Sequence, residues 1–140
     1  MRIEVLSLDE GEPTNVVQLL PQALAETPEL GWSGTFDEIA TRVCLATEQH
    51  TRVELVAYNQ DGSLVGCAVL VPDEDMHVGQ NLSVMWNYVL PDYRGDIGRQ
   101  FMRLAVRVAK QWGFHVLTYT HRLGLGKYAI TYRRLHGQES

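Results

Sequence analysis

The clearest pattern of apolar and polar positions lies between Val84 and Trp112, where a strand pattern is followed at once by a helix pattern. Residues 84–90 are apolar at nearly every position, which predicts a strand buried on both faces and central in its sheet. Pro91 ends this strand, because proline has no amide proton and a fixed φ. The apolar residues that follow recur at helical spacing and predict one amphipathic helix: Phe101, Leu104, Ala105, Val108, Ala109 and Trp112.

The residues before this segment predict an opening strand and two helices. Residues 2–8 alternate as a strand does. The next apolar stretch has helical spacing but contains Pro21, which predicts a kink or two short pieces. Thr35 followed by Glu38 is a capping-box pattern, in which each residue satisfies a backbone amide of the other. It predicts a second helix that ends near His50.

A β-hairpin is predicted in the middle of the chain. Residues 52–59 and 63–71 are apolar strand patterns, and Asp61 and Gly62 between them are typical of a tight turn. Residues 72–81 contain a proline and several acids, so we expect an exposed acidic loop there. This loop leads into the central strand.

After the long helix, residues 114–120 predict a strand parallel to the central one, because such crossovers are right-handed and return to the same sheet. Residues 128–135 predict a last strand. Between them, Gly124 and Gly126 argue against a helix, since two glycines cost about 2 kcal/mol relative to alanine. We therefore expect a loop over residues 121–127.

Length and composition indicate one domain spanning residues 1–140. The N-terminal region is acidic and has no long apolar run, so we expect neither a signal peptide nor a membrane span, and a cytoplasmic location. Cys44 and Cys67 lack metal-ligand spacing and are interpreted as reduced core thiols. The sequence predicts no metal site.

Charge is distributed unevenly along the chain. Residues 1–80 carry 14 acids and 3 bases, whereas residues 81–140 carry 3 acids and 9 bases. A basic half suits a polyanionic ligand, and an acidic half attracts amines over a distance. An ordinary solvated surface explains the same numbers. The net charge of −5 and the absence of a nucleic-acid motif argue against a nucleic-acid partner.

The turn between the central strand and the long helix reads VLPDYRGDIGR over residues 89–99. A strand, a glycine-bearing turn and a helix in this order aim backbone amides and the positive helix end at one point, which suits a phosphate. The wording resembles the acyl-CoA motif of the GNAT superfamily of N-acetyltransferases, which is close to P-x-Y-R-G-x-G-I-G-R. This chain is one residue shorter, because it lacks the first glycine of the pair.

The resemblance implies a fold, a cofactor and a set of binding residues. It implies an α/β (α+β) fold with a mixed central sheet of about six strands and three helices, the fourth helix being reduced to a loop. It implies acetyl-CoA as the acyl donor, with the backbone of the central strand holding the pantetheine arm. The residues that it assigns to the cofactor are Val89, Leu90, Arg94, Gly95, Gly98, Arg99 and Arg103.

Acyl transfer to an amine needs a base for the amine and an acid for the leaving thiolate. Candidates for the base are Glu54, His77 and His121, each of which also fits an ordinary surface or satisfied polar residue. Tyr128 is the candidate that replaces the family's tyrosine acid, with Tyr119 as the second choice. A half-buried strand aromatic explains both tyrosines equally well.

Asp96 stands directly before the helical pattern and is predicted to be its N-cap. An aspartate there would occupy the amides that a pyrophosphate uses and would repel it by about 1 kcal/mol at 4 Å. In contrast, Arg94, Arg99 and Arg103 suit phosphates, and Arg99, Arg103 and Arg107 recur every fourth residue along the polar face of the helix. They also fit the solvated side of an amphipathic helix.

Two functions follow from these observations. The first is an N-acetyltransferase that moves an acetyl group from acetyl-CoA to a small-molecule or protein amine. The second is a GNAT-fold protein without catalysis that binds a protein partner, for example as an assembly component of a bacteriophage particle. The shortened turn, Asp96 and the missing fourth helix favour the second, whereas the VLPDYRG wording and the basic helix favour the first.

Overall fold

A computed structural model describes residues 1–136, which form a six-stranded mixed sheet with helices on both faces. The strands are β1 (Arg2–Leu8), β2 (Arg52–Tyr58), β3 (Leu64–Asp75), β4 (Gly79–Val89), β5 (Val116–Gly124) and β6 (Lys127–Arg134). The helices are α1 (Leu20–Glu26), α2 (Phe36–Glu48) and α3 (Arg94–Gln111). Short 3₁₀ turns lie at Val16–Leu19, Pro28–Gly31 and Pro91–Tyr93.

The strands lie in the order in which they occur in the chain. Neighbours are antiparallel except β4 and β5, which are parallel and are joined by α3. The predicted α/β class, the central position of β4 and the parallel crossover are therefore confirmed. None of the helices among residues 1–136 combines the length and the apolar character needed to cross a membrane.

Each face of the sheet has its own apolar core, because successive strand residues point to opposite faces. On one face, α3 buries Ile97, Phe101 and Ala105 against strand residues such as Leu55 and Leu70. On the other face, the segment that contains α1 and α2 covers a second set: Val56, Cys67, Val69, Val71 and Tyr88. Burial raises the pKa of the Cys67 thiol, in keeping with an inert core residue.

The division predicted at Pro21 and the capping box predicted at α2 are both confirmed. The helical segment before Thr27 is divided in two, with Pro21 in the first turn of α1, where a missing amide proton costs nothing. At α2 the Thr35 amide donates to Glu38 Oε1 at 2.9 Å, and the Glu38 amide donates to Thr35 Oγ1 at 3.3 Å. The capping box is therefore complete.

The acidic loop predicted over residues 72–81 is wrong in its extent. Strand β3 continues to Asp75 and β4 begins at Gly79, so only three residues connect them. Pro72 pairs with Leu82 in this extension, which projects past the last residue paired with β2. Proline is tolerated there because the ribbon has a free edge.

The region predicted as a loop over residues 121–127 is a tight hairpin. Strand β5 runs to Gly124, Leu125 and Gly126 turn the chain, and β6 begins at Lys127. Gly126 has a φ of 68°, a conformation that glycine adopts without strain. The expectation that no helix forms here is confirmed, but Gly124, which the sequence pattern assigns to a loop, belongs to β5 and pairs with Lys127.

Glu54 on β2 is fully buried beside Arg52, on the face of the sheet opposite α3. Its oxygens accept from Arg52 Nε at 2.7 Å, Thr14 Oγ1 at 2.7 Å and the Asn15 amide at 2.9 Å. Burial opposes ionisation, but these hydrogen bonds outweigh it and lower the pKa of Glu54. The pair fixes the chain before α1 to the sheet.

Glu54→Gln is therefore expected to lower the free energy of unfolding by about 3–5 kcal/mol, because it leaves the buried Arg52 guanidinium uncompensated. Urea denaturation measures this change. Glu4→Gln is the matched control, since the ion pair of Glu4 with Arg2 on β1 is accessible to solvent and its loss should change stability little. Similar losses in the two variants would contradict the structural role of the buried pair.

Candidate active site

Strands β4 and β5 separate shortly after they meet. They are paired only at Leu82 with Leu117 and at Ser83 with Thr118, although both strands continue for several residues. Beyond Ser83 and Thr118, the backbone N–H and C=O groups on the facing edges of β4 and β5 have no partner in the other strand. Buried backbone groups rarely lack partners. A cleft of about 770 Å³ lies between the diverging strands.

A β-bulge at Met85 helps β4 to turn away from β5. Val69 of β3 pairs with Trp86, whereas the next residue, Leu70, pairs with Val84, so Met85 is the extra residue. A bulge bends its strand and reverses the alternation of faces. Trp86 and Tyr88 therefore lie on the face that α1 covers. Without the bulge, alternation would put them on the same face as Val84, which packs with the α3 core.

The cleft opens to both faces of the sheet. Its wall is formed by β4 and β5, and residues of α1 and α3 line its two ends. Gly98 and Phe101 belong to the α3 end, and Glu26 and Thr27 to the α1 end. The titratable side chains in the lining are Glu26, Tyr88, Arg94, Tyr119, His121, Arg122 and Tyr128. Two ligands can thus approach one another from opposite faces.

The turn at the start of α3 is helical from its first residue. The 3₁₀ turn at Pro91–Tyr93 runs directly into α3, which begins at Arg94. The prediction that Asp96 is the N-cap is therefore wrong, because the helix starts two residues earlier. Asp96 lies in the first turn and accepts from Gln100 Nε2 at 3.1 Å. No side chain caps this end of α3.

Most of the predicted cofactor residues lie at this helix end, beside the last residues of β4, whereas Arg103 lies in the third turn of α3. Gly98 lines the cleft, and a Cβ placed on it would meet nothing within 4 Å. Arg99 and Arg103 are exposed, and neither forms a salt bridge within residues 1–136. These positions leave the first two turns of α3 open to an anion.

Arg94 differs from these arginines because its guanidinium already has partners. Its Nε donates to the Val89 carbonyl at 2.9 Å, and its Nη2 donates to Glu26 Oε1 at 2.6 Å. Glu26 also accepts from the Tyr88 hydroxyl. Arg94 therefore joins β4 and α3 to the end of α1.

A second glutamate makes a similar connection on the other side of the cleft. Glu29 receives two hydrogen bonds from Arg122 on β5, at 2.8 and 2.9 Å. It also accepts from the Tyr128 hydroxyl at 2.9 Å and the Gly126 amide at 3.2 Å. The chain from Glu26 to Glu29 is thus fixed to β4 at one end and to the β5–β6 hairpin at the other.

These contacts shift the pKa values around the cleft. The Arg122 guanidinium is the main cause that lowers the pKa of Glu29 to about 2. The Tyr88 hydrogen bond does most to lower the pKa of Glu26. Partial burial and the neighbouring Glu26 raise the pKa of Tyr88 to about 12, and burial with Glu29 raises that of Tyr128. Both glutamates are anionic at neutral pH, and both phenols keep their protons.

The structure separates the predicted catalytic residues. His121 and Tyr128 line the cleft, as does Tyr119. His77 lies at the tip of the β3–β4 hairpin, where its Nδ1 is 3.3 Å from the Tyr132 hydroxyl. Glu54 lies outside the cleft with its carboxylate fully used, which argues against its predicted role as a base.

Sequence reasoning missed the acidic side of the cleft. Glu26, Glu29 and Tyr88 were not among its candidates, and Arg122 was not expected to have a partner. Their contacts join residues that are 62 to 99 positions apart, so no local spacing reveals them. The excess of acids in the first half and of bases in the second was the one available signal.

The model of the acetyltransferase (GNAT) family matches residues 20–133 of the chain. That range includes β4, the turn, α3 and the hairpin, and therefore every residue that lines the cleft. No curated protein matches the chain in sequence.

Several solved structures share the fold at low sequence identity. A Pyrococcus furiosus protein described as an acetyl transferase has a TM-score of 0.64 and 17% identity, with 90% of this chain and 85% of that chain covered. The ribosomal-protein-alanine N-acetyltransferase of Brucella melitensis gives 0.56 and 19%, with 88% and 82% covered. The aminoglycoside antibiotic 6'-N-acetyltransferase of Acinetobacter baumannii gives 0.54 and 19%, with 87% and 81% covered.

Because the folded pKa of Glu29, about 2, lies below the ordinary 4.5, this group stabilises the fold above pH 4.5. That contribution should fade as the pH falls from 4.5 towards 2. We expect Glu29→Gln to lower Tm near neutral pH, and the difference from the wild type to narrow as the pH falls from 4.5 through about 2. Thermal melts from pH 2 to 7 measure this difference. A Tm difference that does not depend on pH would refute the assignment.

Proposed function

The chain belongs to the acetyltransferase (GNAT) family, and from that membership we propose that it transfers an acetyl group from acetyl-CoA to an amine. The acceptor is either a small molecule or a protein. Neighbours in fold include enzymes named for an aminoglycoside and for an alanine of a ribosomal protein, and both are amines.

The observation that carries this proposal is the unpaired edge of β4 that faces the cleft. An extended ligand with amide groups can bind such an edge as an additional β-strand would, by forming hydrogen bonds with the backbone N–H and C=O groups of β4. The pantetheine arm of coenzyme A is a ligand of this kind. In the proposal, Val89 and Leu90 lie at the end of the edge where the arm reaches the turn.

The phosphates of the coenzyme are assigned to the start of α3. The positive end of the helix dipole lies there without a side-chain cap. Gly95 and Gly98 allow close approach of a ligand to the helix backbone, and Arg99 and Arg103 provide free guanidinium groups for charge-assisted hydrogen bonds. Arg94 is the third arginine of this site.

Acetyl-CoA supplies a thioester, whose carbonyl carbon the amine nitrogen attacks while the carbon–sulfur bond breaks. In the proposal, His121 accepts the proton of the amine, since it lies on β5 in the cleft. Tyr128 gives a proton to the leaving thiolate, and Tyr119 is the second candidate for that role. Tyr128 has to leave Glu29 to do so, because its hydroxyl now donates to that carboxylate.

A function without catalysis is the alternative, and one observation favours it specifically. The phosphate turn is a continuous helix, and Arg94 in it is already paired with Glu26. A protein that uses the fold only to bind a partner needs no open phosphate turn. The two functions differ in turnover, since only the enzyme releases coenzyme A from acetyl-CoA when an amine is present.

We expect coenzyme A to bind the wild-type protein in isothermal titration calorimetry and to raise its Tm, as a ligand of the native state does. We also expect release of free thiol from acetyl-CoA on addition of a mixture of primary amines. Absence of both heat and thermal shift at millimolar ligand would refute the enzyme proposal. Binding without thiol release would favour the alternative.

Two matched glycine variants test where the phosphates bind. Gly98→Ala should stabilise α3 by up to about 1 kcal/mol, because alanine is the better helix former. It should also weaken coenzyme A binding on the order of ten-fold, since the new methyl group projects into open space that the phosphates are proposed to occupy. Gly95→Ala is the comparison: it lies in the same helix end but outside the cleft lining, so it should weaken binding less than Gly98→Ala. Equal loss of affinity in both variants would contradict this assignment.

A further inference from the structure

Two parts of the site require the same side chain, that of Arg94. It is the first residue of α3 and belongs to the proposed phosphate turn. Its guanidinium nevertheless points back into the cleft, where it bonds to Glu26 and the Val89 carbonyl and lies 5.6 Å from the centre of the Tyr88 ring. An arginine bound in this way cannot give all its donors to a phosphate.

Glu26 is placed where an acceptor would approach. It is the last residue of α1 and lines the cleft at the end away from α3. Its carboxylate has two partners, Arg94 and the Tyr88 hydroxyl. While Arg94 is present, the positive guanidinium cancels the attraction of Glu26 for a cationic amine.

We propose that Arg94 is exchanged between two anions, Glu26 in the free protein and a phosphate of coenzyme A in the complex, so that coenzyme binding uncovers Glu26 as the carboxylate that binds a positively charged acceptor. This inference rests on the proposed acetyl-CoA function. It specifies that the acceptor is positively charged, and it couples coenzyme binding on one side of the cleft to acceptor binding on the other.

The exchange is feasible because the existing pair is exposed. The side chains of Arg94 and Glu26 are 49% and 35% accessible, and ion pairs of this kind contribute little in water. A phosphate carries a larger charge and accepts two parallel hydrogen bonds from a guanidinium. When Arg94 leaves, the Tyr88 hydroxyl still holds Glu26, so the carboxylate keeps its position and its charge.

Glu29, the second glutamate, is held too firmly to exchange its arginine partner as Glu26 does. Glu29 has four hydrogen bonds from three residues, two of them from one guanidinium, and its side chain is only 10% accessible. Its arginine lies on β5, away from the phosphate turn. We therefore expect Glu29 to remain bound when the coenzyme arrives, which makes it a suitable control.

Calorimetric titration of coenzyme A into four variants and the wild type tests the exchange. Glu26→Gln frees Arg94 and should tighten coenzyme A binding about two- to five-fold, the range that an exposed ion pair corresponds to. Glu29→Gln, the same chemical change three positions away, should leave the affinity as in the wild type. Arg94→Gln should weaken binding. Adding Glu26→Gln to Arg94→Gln should have no further effect, because the shared guanidinium is gone.

The possible outcomes separate this inference from the proposed function. Tighter binding in Glu26→Gln that disappears without Arg94 supports the exchange. Unchanged or weaker binding in Glu26→Gln, with a wild type that binds, overturns the exchange and leaves the acetyl-CoA function intact. Tightening that persists in the double variant also overturns it, since Arg94 then plays no part. No binding in any variant overturns the proposed function and the exchange with it.

Discussion

The separation of β4 from β5 is the constraint on which the rest of this structure depends. Parallel strands normally satisfy each other's backbone groups along their length, but here two paired rows are followed by an open cleft. The bulge at Met85 bends β4 away and sends Trp86 and Tyr88 to the α1 face. One extra residue in a strand thus helps to open the cleft and also decides which aromatic side chains line it on the α1 face.

A sheet opened in this way needs support across the gap, and the chain from Glu26 to Glu29 provides it. The first glutamate is bonded to Arg94 and Tyr88, the second to Arg122 and the hairpin. Each pair joins an acid from the first half of the sequence to a base from the second. The uneven charge seen in the sequence thus supplies the two ion pairs that hold the two sides of the cleft together.

Most of the fold was predictable because its signals are local. Alternation places β1 and β2, the capping box at Thr35 and Glu38 places α2, and the family resemblance places the turn before α3. The site was predictable only in part. His121 and Tyr128 reach the cleft as expected, whereas Glu26 and Glu29 owe their roles to partners far away in sequence. Glu54 was a candidate base because the local sequence pattern does not indicate that its side chain is buried and paired with Arg52.

The shortened turn determines which groups lie at the start of α3. With one residue fewer, the 3₁₀ turn after β4 continues directly into α3. Carbonyls of the turn therefore accept hydrogen bonds from amides that a longer loop leaves free. The Arg94 amide, for example, donates to the Pro91 carbonyl. Anion binding then depends more on side chains than on backbone. That shift gives Arg94 its importance, because the guanidinium nearest the cleft is also the one that neutralises Glu26. In the proposed exchange, Arg94 therefore serves two anions in turn, Glu26 and a phosphate.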